Sequence, residues 1–357
     1  MKWGLFLTTA QPPDREATEV LDTTVRHAEM AEKMGFESAW LLEHHFTKYG
    51  LVGSTTVLAA HILSRTKSLK VGTAINVIPL QHPIRVAEEV ALLDQLSKGR
   101  FILGIGRGFF DKDYHVLGVD MAKNREMLEE WTDILIRTWT TGKAAPCGPI
   151  LSFPEVEVYP EVFTRPRPNM YAVAQSPSTT EWAARLGLPL IMNFVMEDDE
   201  KASQLELYNS VARASGHDTS KIEHALSCIT SVGRDSAAAK QNSKNYLCWW
   251  LDECLRITNV LDFQRSEFDS YEYHRRKWKE TVLRGEASVE KRVETYIRLN
   301  PMGTPDECVR KLQKTVDITG LKKIICGFES IGSAVEVEAS MKLFSEEVMP
   351  HVKARHI

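Results

Sequence analysis

The chain has 357 residues, 43% of them hydrophobic and 26% charged, with 44 Lys+Arg against 48 Asp+Glu and a formal charge of −4. That length supports a large core, and a (β/α)8 barrel commonly runs to about 250 residues or more. The near-neutral balance has no basic stripe, which argues against a nucleic-acid partner, and no run approaches the ~20 apolar residues of a membrane helix.

The N-terminus, "MKWGLFLTTAQPPD", breaks too early for the apolar core of a signal peptide. Its "KWGLFL" reads as a first strand, and "EATEVLDTTVRHAEMAEKMGF" carries a helical apolar stripe at Val20, Val25, Ala28, Met30 and Ala31. "SAWLLE", "LKVGTAINVI" and "RFILGIG" follow as strands. They are separated by the helical "TTVLAAHILSRT" and by "RVAEEVALLDQLSKG", whose last glycine is a stop signal. After the helical "REMLEEWTDILIRTW" the rhythm repeats with "NMYAVAQ", "LPLIMNFV", "EHALSCITSV" and "LKKIICGF" as strands, each followed by a helix. Eight near-continuous apolar runs, each covered on both faces, predict a (β/α)8 TIM barrel over residues 1–357. A doubly wound open sheet is the alternative, but "FLTTAQPP" stands where its glycine fingerprint belongs.

Two stretches interrupt the repeat. The proline-rich residues 143–169 predict an irregular excursion with a small hairpin. Residues 260–303, dense in charge and aromatics, predict an insertion that is either a lid or disordered. The six cysteines form no C-x-x-C pair and several lie in apolar runs. Free thiols in a reducing cytoplasm are therefore expected.

In such barrels the chemistry lies at the C-terminal ends of the strands. Those ends carry Thr8 and Thr9; Glu43, His44 and His45; Asn76; "GRGFFDKDY"; Gln175 and Ser176; Asn193; and Ser231. In "GIGRG", glycines on both sides of Arg107 allow a tight turn, and the guanidinium offers a planar fork of donors to a phosphate. Ser176, Ser178 and Thr179 stand at a helix start, where exposed N–H groups make an anion site. The bland alternative is that Ser178 is an N-cap with Glu181 completing a capping box.

Adjacent histidines on an extended segment point to opposite sides, and no His-x-His or later ligand set accompanies them, so a metal site is not expected. His45 reads as structural. His44 stands as either a structural residue or a general base, since an imidazole of pKa near ~6.5 exchanges protons near neutral pH. Asp113, in "DKDY", is a solvated-turn residue or a carboxylate orienting His44. Trp249 and Trp250 are core residues, or one of them faces a planar cofactor.

Taken together, "MKWGLFLTTAQPP", "WLLEHHFTKYGLVG", "LLDQLSKGRF", "DKDYHVLGVDM", "STTEWAARLGLP", "KIEHALSCITSV", "NPMGTPDECV" and "SMKLFSEEVMP" resemble the alpha subunits of bacterial luciferase, the flavin-dependent alkanal monooxygenases, from end to end. Residues 260–303 favour the alpha over the beta type, whose chain is shorter and lacks most of this insertion. The resemblance implies reduced FMN supplied by a separate flavin reductase. It also implies oxidation of a long-chain aldehyde by O2 through a flavin C4a-hydroperoxide, with light emission. A beta-type subunit would complete a heterodimer, with a homodimer as the alternative.

By the same resemblance His44 is the catalytic base and Asp113 perturbs the flavin chemistry. Arg107, Ser176 and Thr179 contact the phosphate, with Gln175 beside them, and Ala74 and Ile75 lie under the flavin. Trp250 lies near its ring, residues 260–303 form a mobile lid, and His45 and Glu88 lie near the subunit interface. Five positions depart from the family: Gly106 replaces a cysteine, Gln175 a glutamate, Ile75 an alanine, Asn193 a serine and Phe194 a tryptophan. The departures at Ile75, Gln175 and Gly106 keep open a dark flavin monooxygenase acting on another substrate, and the family's beta chain sets the precedent for a non-catalytic partner subunit.

Overall fold

The computed structural model describes residues 1–257 and 272–354. Eight parallel strands form the barrel: β1 (Lys2–Leu7), β2 (Ser38–Leu41), β3 (Lys70–Thr73), β4 (Phe101–Gly106), β5 (Asn169–Val173), β6 (Leu190–Met192), β7 (Ala225–Ile229) and β8 (Lys323–Gly327). β1 pairs with both β2 and β8, and β3 pairs with β4, so the ring closes without a free edge. Every strand predicted from an apolar run is present. The residues of β2 and β7 are all buried, as expected where one face meets the barrel interior and the other the helices.

The barrel interior is filled by side chains. Trp40 is fully buried there, its ring edge-on to Tyr171 at 5.2 Å, and its Nε1 donates to Ser38 Oγ at 2.9 Å. Glycine on the flanking strands makes the room, since a Cβ on Gly72 would lie 2.5 Å from the Trp40 ring.

The surrounding helices are α1 (Ala17–Lys33), α2 (Thr55–Arg65), α3 (Pro83–Ser97), α4 (Asp111–Leu117), α5 (Asn124–Thr141), α6 (Pro177–Arg185), α7 (Asp198–Ala214) and α8 (Ser236–Ile257). After the undescribed stretch come α9 (Glu272–Leu283), α10 (Val289–Leu299), α11 (Pro305–Thr319) and α12 (Ala334–Glu347). Capping boxes open α11 at Thr304 and Glu307 and α12 at Ser333 and Glu336.

The expected excursion over 143–169 contains a two-residue antiparallel pairing of Lys143–Ala144 with Val156–Glu157. Two buried carboxylates hold it to the barrel's helices. Glu130 accepts from the Ile150 and Leu151 amides at 3.0 Å each, and Asp94 from the Thr164 amide at 2.7 Å and hydroxyl at 2.8 Å. Of the insertion expected over 260–303, residues 260–271 lie outside the described residues. The remainder forms α9, α10 and a short strand, Met302–Gly303, that pairs in parallel with Ser231–Val232. Val293 and Tyr296 of α10 are buried with Tyr49, Phe110, Trp250 and Leu251, so this helix packs over the mouth of the barrel.

Candidate active site

The strand ends project one constellation into the mouth. Past β2 the backbone stays extended enough to separate its two histidines. Glu43 and His45 face one way, where His45 Nε2 lies 3.3 Å from Glu43 Oε1, and Asn76 Nδ2 donates to Glu43 Oε2 at 3.1 Å. His44 faces the other way, against Tyr49 (ring centroids 4.7 Å) and Phe110 (5.0 Å), and is 7% exposed. Burial, helped by the charge of His45, holds the His44 ring down to a pKa of about 3, so it is neutral near pH 7. Its Nε2 is buried without a hydrogen-bond partner among the described residues.

Asp113, the carboxylate expected to orient His44, sits on α4 in a different company. Burial raises it to about 6, while the charge of His45 draws it down and that of Glu43 pushes it up. Its electrostatic partners are therefore His45, Glu43 and Lys112, and no hydrogen bond joins it to His44. The hydrogen bond to Glu43 raises His45, and burial raises Glu43, so both members of the pair hold protons more tightly than usual. The segment thus supplies one aromatic-walled neutral imidazole and, on the reverse side, a hydrogen-bonded cluster of titratable groups that fixes the strand end.

Arg107 follows β4 and is half-buried, and its carbonyl accepts a short hydrogen bond from the Tyr114 hydroxyl. The glycines around it differ in their reasons. Gly108 has φ +67, where a side chain is strained, and a Cβ on Gly104 would lie 1.8 Å from the Thr73 carbonyl oxygen. Gly106 has neither constraint, since its φ lies outside the left-handed region. The expectation that glycines on both sides of Arg107 serve the turn therefore holds for Gly108 and not for Gly106.

On the neighbouring strand, β5 leads into α6. The N-cap is Ser176, not Ser178: its Oγ accepts from the Thr179 amide at 3.4 Å and lies 2.9 Å from Thr179 Oγ1. Pro177 occupies the first helical position, which suits its fixed φ and leaves Ser178 exposed in the first turn. Gln175 is half-buried one residue before the cap.

Arg125 on α5, absent from the sequence-based candidates, completes this group. Its Nη1 donates to Thr179 Oγ1 at 3.0 Å, its Nη2 to the Ser178 carbonyl at 3.1 Å and its Nε to Glu129 at 2.5 Å. A guanidinium has five N–H donors, so one remains on each terminal nitrogen beside the helix N-terminus. Two hydroxyls, a helix start and this fork make an anion cradle. Nothing local in "NREMLEEW" signals it, because its partners at the α6 terminus lie more than fifty positions away in sequence.

A second omission was legible. Applying the strand-end rule to β8 yields Glu329, whose Oε2 accepts from the Thr8 amide (2.6 Å), the Thr9 amide (3.2 Å) and the Thr8 hydroxyl. Burial raises its pKa despite these donors.

Trp250 is 4% exposed and stacks on Tyr49 at 4.4 Å and 15°, with its Nε1 donating to the Tyr49 carbonyl at 3.3 Å. Phe194, past β6, adds its ring to Trp250 and Tyr296. Trp249 instead contacts Tyr246. Ala74 is buried within the barrel-interior cluster, Ile75 is half-buried at its rim, and the Ala74–Ile75 peptide is cis. Among the described residues, no group of three or more His, Cys, Asp or Glu is placed to hold a metal ion.

A parallel barrel whose strand ends gather hydroxyls and a guanidinium at a helix start, a neutral buried imidazole and an aromatic wall has the form of a (β/α)8-barrel enzyme. Comparison with known proteins narrows the class. The sequence profile of the luciferase-like monooxygenases matches residues 1–321, and the chain belongs to that family. It is 44% identical over 355 residues to the alkanal monooxygenase alpha chain of the Kryptophanaron alfredi symbiont, covering 99% of each chain. It is 43% identical over 355 residues to that of Photorhabdus luminescens, covering 99% of this chain and 98% of the relative. The alkanal monooxygenase beta chain of Vibrio harveyi is more distant, at 27% over 354 residues, covering 98% of this chain and 99% of the relative. Among solved structures, the monooxygenase RslO1 from Streptomyces bottropensis shares the fold with a TM-score of 0.84 at 23% identity, covering 99% of this chain and all of that one. The oxygenating constituent of 3,6-diketocamphane monooxygenase from Pseudomonas putida, in complex with FMN, does so at 0.79 and 19%, covering 99% of both.

Proposed function

We propose that this chain is the catalytic subunit of an alkanal monooxygenase that uses reduced FMN and O2 to oxidise a long-chain aldehyde to the fatty acid, with light emission. The observation that carries the reading is the convergence at one barrel mouth of the cradle formed by Arg125, Ser176 and Thr179 with the unbonded Nε2 of neutral His44. The relationship to the alpha chains supports it over the full length.

The donor set fits a phosphate monoester dianion. The α6 terminus, the two hydroxyls and the Arg125 fork would hold it, with Arg107 from the adjacent strand as a further cation. Gln175 places no carboxylate against that dianion. When bound, reduced FMN supplies the electrons that split dioxygen, one oxygen atom going to the aldehyde carbon and the other to water. The chain's own part is positioning and protection. In the tautomer protonated on Nδ1, His44 Nε2 would accept a proton from the reacting group and return it, and no hydrogen bond within the chain occupies that nitrogen. Tyr49, Phe110 and Trp250 keep water from that nitrogen, and the 260–303 insertion acts as a lid through α10, whose Val293 and Tyr296 close over the same rings.

A beta-type subunit completes the enzyme in this reading, and a separate reductase delivers the flavin. Apolar side chains on α2 and α3 face outward, with Val57 and Leu96 each 70% exposed and Leu92 49%, a surface suited to a partner. No helix among the described residues is long and apolar enough to cross a membrane, and the six cysteines are unpaired. The reading therefore takes the enzyme to be cytoplasmic.

The test is to purify the chain with a beta-type partner, add reduced FMN and decanal in air, and record photons and decanoic acid. Both products are expected, and neither above blank would overturn the proposal. Acid without light would favour the dark monooxygenase, which the Ile75 and Gly106 departures also suggest.

A further inference from the structure

We propose that Ile75 and Gly106 form one specificity-determining unit. In it the isoleucine occupies the volume a side chain at 106 would take, and so shapes the pocket wall beside Arg107. A Cβ on Gly106 would lie 2.5 Å from Ile75 Cδ1, 3.3 Å from Cγ2 and 3.6 Å from Cγ1. Most of the Ile75 side chain is therefore laid over the Gly106 Cα. The backbone gives no other reason for glycine, since the φ of Gly106 is one that any residue adopts. Gly104, two residues earlier, is different, because there the obstacle is a main-chain carbonyl that cannot move aside.

The placement gives the pair its consequence. Asn76–Val77 pairs with Ile105 and Gly106 at the end of β4, so Ile75 enters the mouth alongside the strand that carries Arg107. Ala74 before it is buried in the barrel, whereas Ile75 is half-buried and leaves part of its side chain at the mouth. A methyl added at 106 has only Ile75 side-chain atoms as its three nearest neighbours, so the isoleucine must give way and the wall changes shape. Removing the isoleucine instead opens a void against bare backbone. Ile75 and Gly106 thus share one volume across a strand pair, and the wall they build starts one residue from the Arg107 guanidinium.

This inference rests on the mouth being a flavin and aldehyde site, and its test separates the two. Wild type, Gly106→Ala, Ile75→Ala and the double variant are compared, in complex with the beta-type partner, for melting temperature, FMN affinity by fluorescence titration and preferred aldehyde length. Gly106→Ala alone is expected to weaken FMN binding about tenfold, the size of one overpacked methyl group. In the Ile75→Ala background the same change should be silent. The preferred aldehyde length should move in Ile75→Ala and shift back toward wild type in the double variant. Additive effects on FMN affinity overturn the proposal, as does a chain-length preference that is the same in all four proteins, which would make the pair a packing feature only. If Gly106→Ala alone does not fold, Ile75→Ala against the double variant still decides, since a loss there contradicts the exchange. A wild type that binds no FMN removes the assigned ligand and the function with it, while the melting temperatures still report whether the two positions are coupled.

Discussion

Replacing Arg125 with alanine tests the anion cradle most directly. Three of its five N–H groups are engaged, by Thr179 Oγ1, the Ser178 carbonyl and Glu129, which holds the planar head at the start of α6. Two donors remain, one on each terminal nitrogen, and a guanidinium of this kind pairs well with phosphate oxygens. A hydrogen bond to a charged group contributes about 1.5–3 kcal/mol, so losing this contact should weaken FMN binding about 10- to 100-fold. The side chain is 19% exposed, so solvent screens part of the attraction and the lower end of that range is expected. Riboflavin has the same ring and ribityl chain without the phosphate, and its affinity should not change. Fluorescence titrations of both ligands against wild type, Arg125→Ala and Arg125→Lys provide the assay. Lysine keeps the charge and loses the fork, so it should recover only part of the FMN affinity. Equal losses for FMN and riboflavin, or no loss for either, would refute the assignment of Arg125 to the phosphate.

Further outcomes follow from the same geometry. His44→Ala should leave FMN affinity intact and lower turnover about 10²- to 10⁴-fold, the usual share of a general base; comparable turnover in the variant would remove His44 from the chemistry. Asp113 is raised by burial to about 6 from 3.8, so its contribution to stability is present below the lower value and is lost as pH rises through the higher one. Relative to wild type, Asp113→Asn should therefore gain melting temperature between about pH 4 and pH 7, and a constant difference across that range would contradict the burial argument. Gly104→Ala, with its Cβ 1.8 Å from a carbonyl oxygen, should not yield a folded barrel. Gly118→Ala, at φ +71 in open space, should fold with a loss of about 1 kcal/mol in denaturant titration. Leu96→Glu on the outward face of α3 should prevent co-purification with a beta-type partner while leaving the melting temperature of the isolated chain unchanged.

The barrel was legible in the sequence because its signals are local. Each strand is buried on both faces and so is written as an unbroken apolar run, and the strand-end rule then placed Glu43, His44, Arg107, Ser176 and Asn193 on one side of the molecule. The same rule, carried to the last strand, reaches Glu329. The opposite facing of His44 and His45 also followed from chain geometry alone.

Three features depended on segments far apart in sequence. Arg125 joins the Ser176–Thr179 turn across more than fifty residues because the start of α5 lies within side-chain reach of the start of α6. Asp113 interacts with His45 and Glu43 and makes no hydrogen bond to His44, because α4 brings it within electrostatic reach of the Glu43–His45 pair. Gly106 is small because of Ile75, a side chain thirty-one positions earlier whose reach no one-dimensional pattern contains. Periodicity and composition determined which residues are buried and where the polar ends lie. Which of those ends touch was decided by strand order and helix packing, since only the tertiary fold brings segments so far apart in sequence within reach of one another.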